Sequence, residues 1–401
     1  MNGTEAIVLN PAASPPHERD AAASAVLDED GLAEARAAIT RWPDYRPTPL
    51  RSLDGLARQA GVASLHYKDE GERFGLGSFK ALGGAYAVEC LIAGHADPAA
   101  VTVCCATDGN HGRSVAWGAR TFGCRAVIFV HATVSDGRVA AIERYGARVV
   151  RTAGNYDESV REAQRVADER GWYVVSDTAW PGYEAVPTRV MQGYELMALE
   201  ALEQLPAPPT HVFLQTGVGG MAAAVAACLT RRADGPRPRF VLADPERSAC
   251  WVESLRAGEP VRIDGELDTL MAGLACGEVS PLAWRVLRTL ADAAVAVPDA
   301  AATGLMRRLA RPTLAGDARG DVATDGGEDE PIVAGESAVA GLAALLALAP
   351  GSVARETLGL DAHSRVLVFG TESDTDPELY ERIVGRSSDD VRAGRTADGE
   401  R

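Results

Sequence analysis

From Arg46 onward, short apolar runs alternate with stretches of helical periodicity, and this alternation confines the chain to an α/β fold with mainly parallel sheets. The strand candidates are residues 65–67, 101–105, 126–130, 148–151, 173–175, 212–215, 240–243 and 366–369. Helical patterns fall at 81–93, 112–121, 137–145, 156–170, 189–202, 221–229 and 337–348. In open sheets of this kind ligands bind where the strands end, so the strand-to-helix junctions are the places to look for chemistry. A length of 401 residues exceeds what one core organises, which predicts two domains. Residues 1–40, with one helix at 29–40, read as an arm packed on the main body or on a partner. The acidic, Gly-rich segment 316–330 has no aromatic residue and reads as a solvated, disordered loop. The tail after about residue 385 reads as equally loose.

A formal net charge of -16 and a pI near 5.0 argue against nucleic acid or an anionic membrane surface as partner. A small-molecule ligand is expected instead. Seven cysteines show neither a Cys-x-x-Cys pair nor the His spacing of a zinc site, so no metal is expected and a reducing compartment fits. Cys250 and Cys276 could approach each other in the fold, but free thiols are the expected state. The amino-terminal residues lack a basic segment followed by an apolar core, and the apolar stretch 338–349 is too short to span a bilayer. The expectation is therefore a cytoplasmic protein.

Only two lysines occur, Lys68 and Lys80, against 38 arginines. An ε-amine forms an imine with an aldehyde and can serve as a base, neither of which a guanidinium does. Lys68 lies in the charged run Lys68-Asp69-Glu70 and reads as a compositional remainder; Lys80 is followed by Ala81-Leu82-Gly83-Gly84-Ala85 and reads as functional. Three loops accompany it. Thr107-Asp108-Gly109-Asn110-His111-Gly112 follows a strand and opens a helix, where backbone N–H groups can close on a substrate carboxylate and the Asn110 amide suits a ring hydroxyl. Gly217-Val218-Gly219-Gly220-Met221 lies between a strand and an Ala-rich helix, and its glycines allow the close approach and positive φ of a phosphate cradle. It lacks the Gly-Lys-Ser/Thr ending of a P-loop. Gly370-Thr371-Glu372-Ser373-Asp374-Thr375-Asp376 follows the last strand and offers the Thr371 hydroxyl to a ring nitrogen.

An amine nucleophile, a phosphate cradle, an amide for a ring hydroxyl and a hydroxyl for a ring nitrogen are together what pyridoxal 5′-phosphate requires. In order and spacing the chain resembles the fold-type II pyridoxal-phosphate enzymes, the group of threonine dehydratase, serine dehydratase and tryptophan synthase β. Over residues 45–385 it is most similar to the diaminopropionate ammonia-lyases. The likeness rests on Phe74-Gly75-Leu76-Gly77-Ser78-Phe79-Lys80, the loop at 107–112, and Asp177-Thr178-Ala179-Trp180-Pro181-Gly182-Tyr183. It is reinforced by Met271-Ala272-Gly273-Leu274-Ala275-Cys276-Gly277-Glu278, by Gly335-Glu336-Ser337 and by Thr371 to Asp376. The resemblance implies a two-domain fold, each domain an open, mainly parallel twisted sheet flanked by helices. Residues 1–99 with 185–401 would form the larger, cofactor-binding domain and 100–184 the smaller. It implies a homodimer as well. Lys80 would carry the cofactor as an internal aldimine, Asn110 would face its O3′, residues Gly217 to Met221 would bind phosphate, and Thr371 would meet the pyridine nitrogen. Ser373 stands where the family usually has glycine.

The same resemblance implies β-elimination of 2,3-diaminopropionate to pyruvate and two ammonia, by way of an external aldimine and an aminoacrylate. Thr107, Asp108, Gly109 and His111 would contact the substrate. Asp108 places a carboxylate beside the reacting carbon and Asp177 supplies a second, which suits a β-ammonium that serine and threonine lack. Asp108 on the face opposite Lys80 would let a second base accept the D-isomer. A serine or threonine dehydratase of the same fold, or a non-enzymatic amino-acid sensor, are the competing readings.

Overall fold

The computed structural model describes residues 6–18, 21–107, 109–132, 134–154, 156–265, 267–311 and 329–394. Among them are eleven strands: β1 (Ile7–Leu9), β2 (Leu50–Ser52), β3 (Ser64–Asp69), β4 (Thr102–Ala106), β5 (Arg125–Val130), β6 (Arg148–Arg151), β7 (Tyr173–Val174), β8 (His211–Gln215), β9 (Arg239–Pro245), β10 (Ala291–Val297) and β11 (Arg365–Gly370). Seven of them form one sheet in the order β1-β10-β9-β8-β11-β3-β2. Only the edge strands β1 and β2 run antiparallel to their neighbours. The other four form a wholly parallel sheet in the order β6-β5-β4-β7. The α/β reading of the sequence is thus what the chain adopts.

Parallel strands covered on both faces by crossover helices are buried throughout, which is why β8 (His-Val-Phe-Leu-Gln) has no exposed residue. Three strands escaped the sequence reading. β10 is Ala-Asp-Ala-Ala-Val-Ala-Val, fully buried, and alanine carries neither β-propensity nor alternation to betray it. β1 and β2 are three-residue edges. The arm packs on the body: β1 pairs with β10, and Leu27, Leu32, Ala35 and Ile39 of the following segment are fully buried.

One expectation of looseness needs correction, and a second falls mostly outside the described residues. Beyond residue 385 a helix forms at Ser388–Arg392, capped by Ser387, with Val391 buried and Arg392 paired to Asp374 at 2.7 Å. Of the acidic loop, residues 316–328 lie outside the described residues, while its last two, Asp329 and Glu330, are held. Asp329 accepts from the backbone N–H groups of Gly55 (2.8 Å) and Leu56 (3.1 Å), capping helix Asp54–Ala60. Glu330 pairs with Arg51 at 3.1 Å.

Lys68 is also no remainder. Its Nζ, with no solvent exposure, donates to Thr48 O (2.7 Å), Glu200 Oε2 (2.8 Å) and Gln204 Oε1 (2.9 Å). Glu200 also accepts from Arg73, and Arg73 from its other side holds Glu70. This buried network anchors the start of the loop that leads from β3 to Lys80. The helix after Lys80, Ala81–Ile92, lies so close to helix Ala185–Gln204 that a Cβ built on Gly193 would sit 1.9 Å from Leu82 O. Among the described residues no helix is long and apolar enough to cross a membrane.

Candidate active site

The loop after β3 ends at Lys80, the residue before helix Ala81–Ile92, and delivers its amine into a cavity between the two sheets. Lys80 Nζ donates to Asp177 Oδ2 at 2.6 Å and lies 5.4 Å from the centre of the Phe79 ring and 5.8 Å from that of Tyr194. Burial opposes the charge on Lys80, yet the Asp177 carboxylate and then Tyr194 outweigh it, so its pKa rises above the ordinary lysine value. Burial likewise opposes the charge on Asp177, and Lys80 followed by His111 drives its pKa below the ordinary carboxylate range. The two are an ion pair at neutral pH. His111 Nε2–H donates to Val175 O at 2.8 Å, which leaves Nδ1 as an acceptor, without a partner and 4.0 Å from Asp177 Oδ2. Burial lowers the His111 pKa, so the ring beside the ion pair is neutral.

The other loops reach the same cavity from the carboxyl ends of β4, β8 and β11. Gly217, Val218, Gly219, Gly220 and Met221 all line it, with Gly219 at φ +94° opening helix Gly220–Arg231. The first N–H groups of that helix have no intrahelical acceptor, and the residues that carry them line the cavity, where such groups favour an anion. Thr371 Oγ1 accepts from Gln215 Nε2 at 2.7 Å, so its own hydroxyl hydrogen is left to donate. Asn110 begins helix Asn110–Phe122, and its Nδ2 donates to Glu372 Oε2 at 2.6 Å, while Ser337 N donates to Glu372 Oε1 at 2.9 Å. Thr107 Oγ1 accepts from Gly109 N (3.0 Å) and Gly112 N (3.2 Å), bracing the turn. Ser373 serves as a strap: its N–H donates to Gly77 O at 2.9 Å and its hydroxyl to Gly71 O at 3.1 Å.

A profile of the family described as pyridoxal-phosphate dependent enzyme matches residues 41–367. The chain is 40% identical over 361 residues to the diaminopropionate ammonia-lyase of Escherichia coli (strain K12), spanning 85% of this chain and 87% of that one. This chain belongs to the diaminopropionate ammonia-lyase family of pyridoxal-phosphate dependent enzymes. Its fold superposes on a crystal structure of the holo E. coli enzyme with a TM-score of 0.84 at 37% identity, over 94% of this chain and 96% of that chain. A crystal structure of the E. coli enzyme in complex with an aminoacrylate–PLP azomethine reaction intermediate gives 0.82 at 37% identity, over the same shares.

The residues present fit the cofactor of this ammonia-lyase family. A Cβ on Gly219 would meet the Trp251 ring at 2.2 Å and one on Gly217 would meet Cys276 Sγ at 3.0 Å, so only glycine leaves the loop's backbone free to enclose a phosphate. The Lys80 amine and the Thr371 hydroxyl open on the same cavity. Of the residues singled out in the sequence, Lys80, Thr107, Gly109, Asn110, His111, Asp177, 217–221 and Thr371 line this one space. Asp108 lies outside the described residues. Sequence reasoning missed Glu336, Glu372, Gln215, Tyr194, Arg113 and Arg138, which line it too. Glu336 and Glu372 stood inside quoted motifs without a role; burial, then Glu372, pushes the Glu336 pKa up, and Arg138 at 3.4 Å opposes that. All seven cysteines are free.

Proposed function

We propose that this protein catalyses the pyridoxal-phosphate-dependent β-elimination of 2,3-diaminopropionate, releasing one ammonia and aminoacrylate, which water then hydrolyses to pyruvate and a second ammonia. The observation that carries the reading is the Lys80–Asp177 ion pair, half-buried in the cavity onto which the glycine loop and Thr371 also open. Similarity over most of the chain to enzymes of that name supports the choice of substrate. Bound through Lys80, the cofactor supplies the electron sink that acidifies the substrate Cα–H and lets the β-nitrogen depart.

The chain's own groups do the rest. Residues 217–221 hold the phosphate with backbone N–H groups, Asn110 faces the ring hydroxyl, and Thr371 donates to the ring nitrogen. A neutral hydroxyl there leaves that nitrogen unprotonated, so the sink is modest and favours prompt elimination over exchange at Cα. Once displaced, the Lys80 amine takes the Cα proton as general base. Asp177 stays ionised throughout. While Lys80 is neutral the Asp177 carboxylate is without its cation, and the substrate's β-ammonium is the group that replaces it. Serine and threonine bring a neutral hydroxyl and leave that charge unpaired. Thr107, Gly109 and His111 frame the substrate, with neutral His111 excluding water beside the pair. Asp108 is the base for the D-isomer: Asp108→Asn then removes activity on D-diaminopropionate far more than on the L-isomer, and equal losses sink the two-base idea.

Residues 1–99 with 185–401 form the cofactor-binding domain and 100–184 the smaller one. Seven free thiols suit the cytoplasm. The enzyme works as a homodimer; light scattering then gives twice the 42.1 kDa of the chain. The deciding assay mixes purified holoenzyme with D- and L-diaminopropionate, serine and threonine and quantifies keto acid and ammonia. Two ammonia per pyruvate, from diaminopropionate in preference to the hydroxy amino acids, is the expected result. Faster turnover of serine or threonine overturns it.

A further inference from the structure

We infer that Trp251 and Asp244, neither of which lines the Lys80 cavity, position the phosphate cradle and so set the affinity for the phosphate-bearing cofactor. The inference rests on the assignment of residues 217–221 as that cradle.

The chain of contacts starts at the carboxyl ends of two paired strands. β8 and β9 run parallel with Gln215 opposite Ala243, which brings Thr216 and Asp244 side by side just beyond. Thr216 Oγ1 donates to Asp244 Oδ1. Asp244 Oδ2 accepts from the backbone N–H groups of Trp251 (2.7 Å) and Val252 (3.0 Å), two donors in the first turn of helix Cys250–Ala257. A fully buried carboxylate thereby anchors the start of that helix, satisfying donors that helix geometry leaves without partners.

The anchored helix start aims the Trp251 ring back at the loop after β8. Its Nε1–H donates to Gly217 O at 3.0 Å, assisted by a weak contact from Cys250 Sγ at 3.7 Å. The same ring fills the space where Gly219 would carry a side chain, 2.2 Å from the Cβ position. Two cradle glycines are thus held by one side chain, Gly217 by a hydrogen bond and Gly219 by contact. Gly219 keeps φ +94° against that wall, and the direction of the next N–H groups follows from its dihedrals. Trp251 is fully buried and braced by Trp284, with ring centres 5.9 Å apart.

Because this wall acts only through the phosphate loop, it discriminates pyridoxal phosphate from pyridoxal, which also forms an imine with Lys80 but lacks the anion. The test titrates cofactor-free wild type, Trp251→Phe, Asp244→Asn and Asp244→Ala with each compound, following the visible imine band. Trp251→Phe keeps an aromatic wall but loses the donor to Gly217 O, so affinity for pyridoxal phosphate falls about tenfold, the scale of one lost buried hydrogen bond. Pyridoxal affinity stays within about twofold, and so does kcat at saturating cofactor, because no reacting atom is touched. Asp244→Asn retains an acceptor for Trp251 N and a polar partner for Thr216, and binds as wild type does. Asp244→Ala loses the anchor and weakens pyridoxal phosphate as Trp251→Phe does; if it does not fold, Trp251→Phe decides alone. Unchanged affinity in Trp251→Phe, or equal loss for both compounds, overturns the proposal. A wild type that binds pyridoxal as tightly as pyridoxal phosphate overturns the cradle assignment instead.

Discussion

At the scale of single residues, the proposed attachment of the cofactor to Lys80 makes the Lys80–Asp177 pair the control on its uptake. An amine attacks a carbonyl only when neutral, and Asp177 holds Lys80 charged beyond the ordinary lysine range, so cofactor uptake by the apoprotein accelerates as pH rises. Asp177→Asn removes the main group that raises the Lys80 pKa. Stopped-flow measurement of the imine band then shows the acceleration displaced to lower pH, while steady-state turnover of diaminopropionate falls about tenfold or more. An unchanged pH profile contradicts the pairing. The pair also shapes stability, with a definite sign at each end. Lys80, raised on folding, contributes below its unfolded pKa and loses that contribution as pH climbs through its folded value; Asp177, depressed on folding, contributes above its unfolded pKa and loses it as pH falls through its folded value. Urea titrations across pH therefore give a flatter profile for Asp177→Asn at both extremes. Lys68→Met, which deletes one cation from the buried Glu200 network, lowers unfolding free energy by about 3 kcal/mol, readable as a lower urea midpoint. Lys80 was legible as one of only two lysines in an arginine-rich chain, and Asn110, Thr371 and the glycine loop because each follows a strand end in a patterned run. Lys68, Gln215, Glu372 and Trp251 were not. Their meaning comes from partners far along the chain, such as Glu200 for Lys68 and Gly217 for Trp251, and no local pattern records such a contact.

At the scale of elements, close helix packing sets the position of Lys80. Helix Ala81–Ile92 can approach helix Ala185–Gln204 only because Gly193 has no side chain; a methyl there would overlap Leu82 O. Gly193→Ala therefore forces the two helices apart and costs about 1–3 kcal/mol, less whatever the alanine returns in helix propensity. Thermal unfolding shows the lower Tm, and kcat falls with it because the amine moves. A variant as stable and as active as wild type would contradict this packing account. The expected interior strands were readable because parallel strands covered on both faces are continuous apolar runs. Strand β10 was hidden by alanine, whose methyl suits a crowded sheet face yet signals no strand. The helix at Ser388–Arg392 was hidden because its five residues are mostly polar, and its order comes from Val391 and the Arg392–Asp374 contact.

At the scale of the whole molecule, two sheets meet at one cavity whose lining is drawn from loops spread between Phe79 and Thr375. A ligand gripped by both sheets binds the folded state alone, so saturating pyridoxal phosphate raises the apparent Tm, by an amount that grows with the logarithm of its concentration. Lys80→Ala retains the cradle but not the covalent link, and keeps only part of that rise; an equal rise in both proteins would place the cofactor elsewhere. The α/β class was legible from the strand–helix alternation and the division into two domains from length, whereas one open sheet per domain followed from the likeness to a known family, and the convergence of the loops from their place at strand ends together with that likeness. The central claim, a covalent bond from Lys80 to the cofactor, has a clean test because the chain offers only two ε-amines. Holoenzyme reduced with borohydride, digested and sequenced by mass spectrometry should carry the phosphopyridoxyl group on the peptide containing Lys80. A label on Lys68, or none on either lysine, would contradict the account.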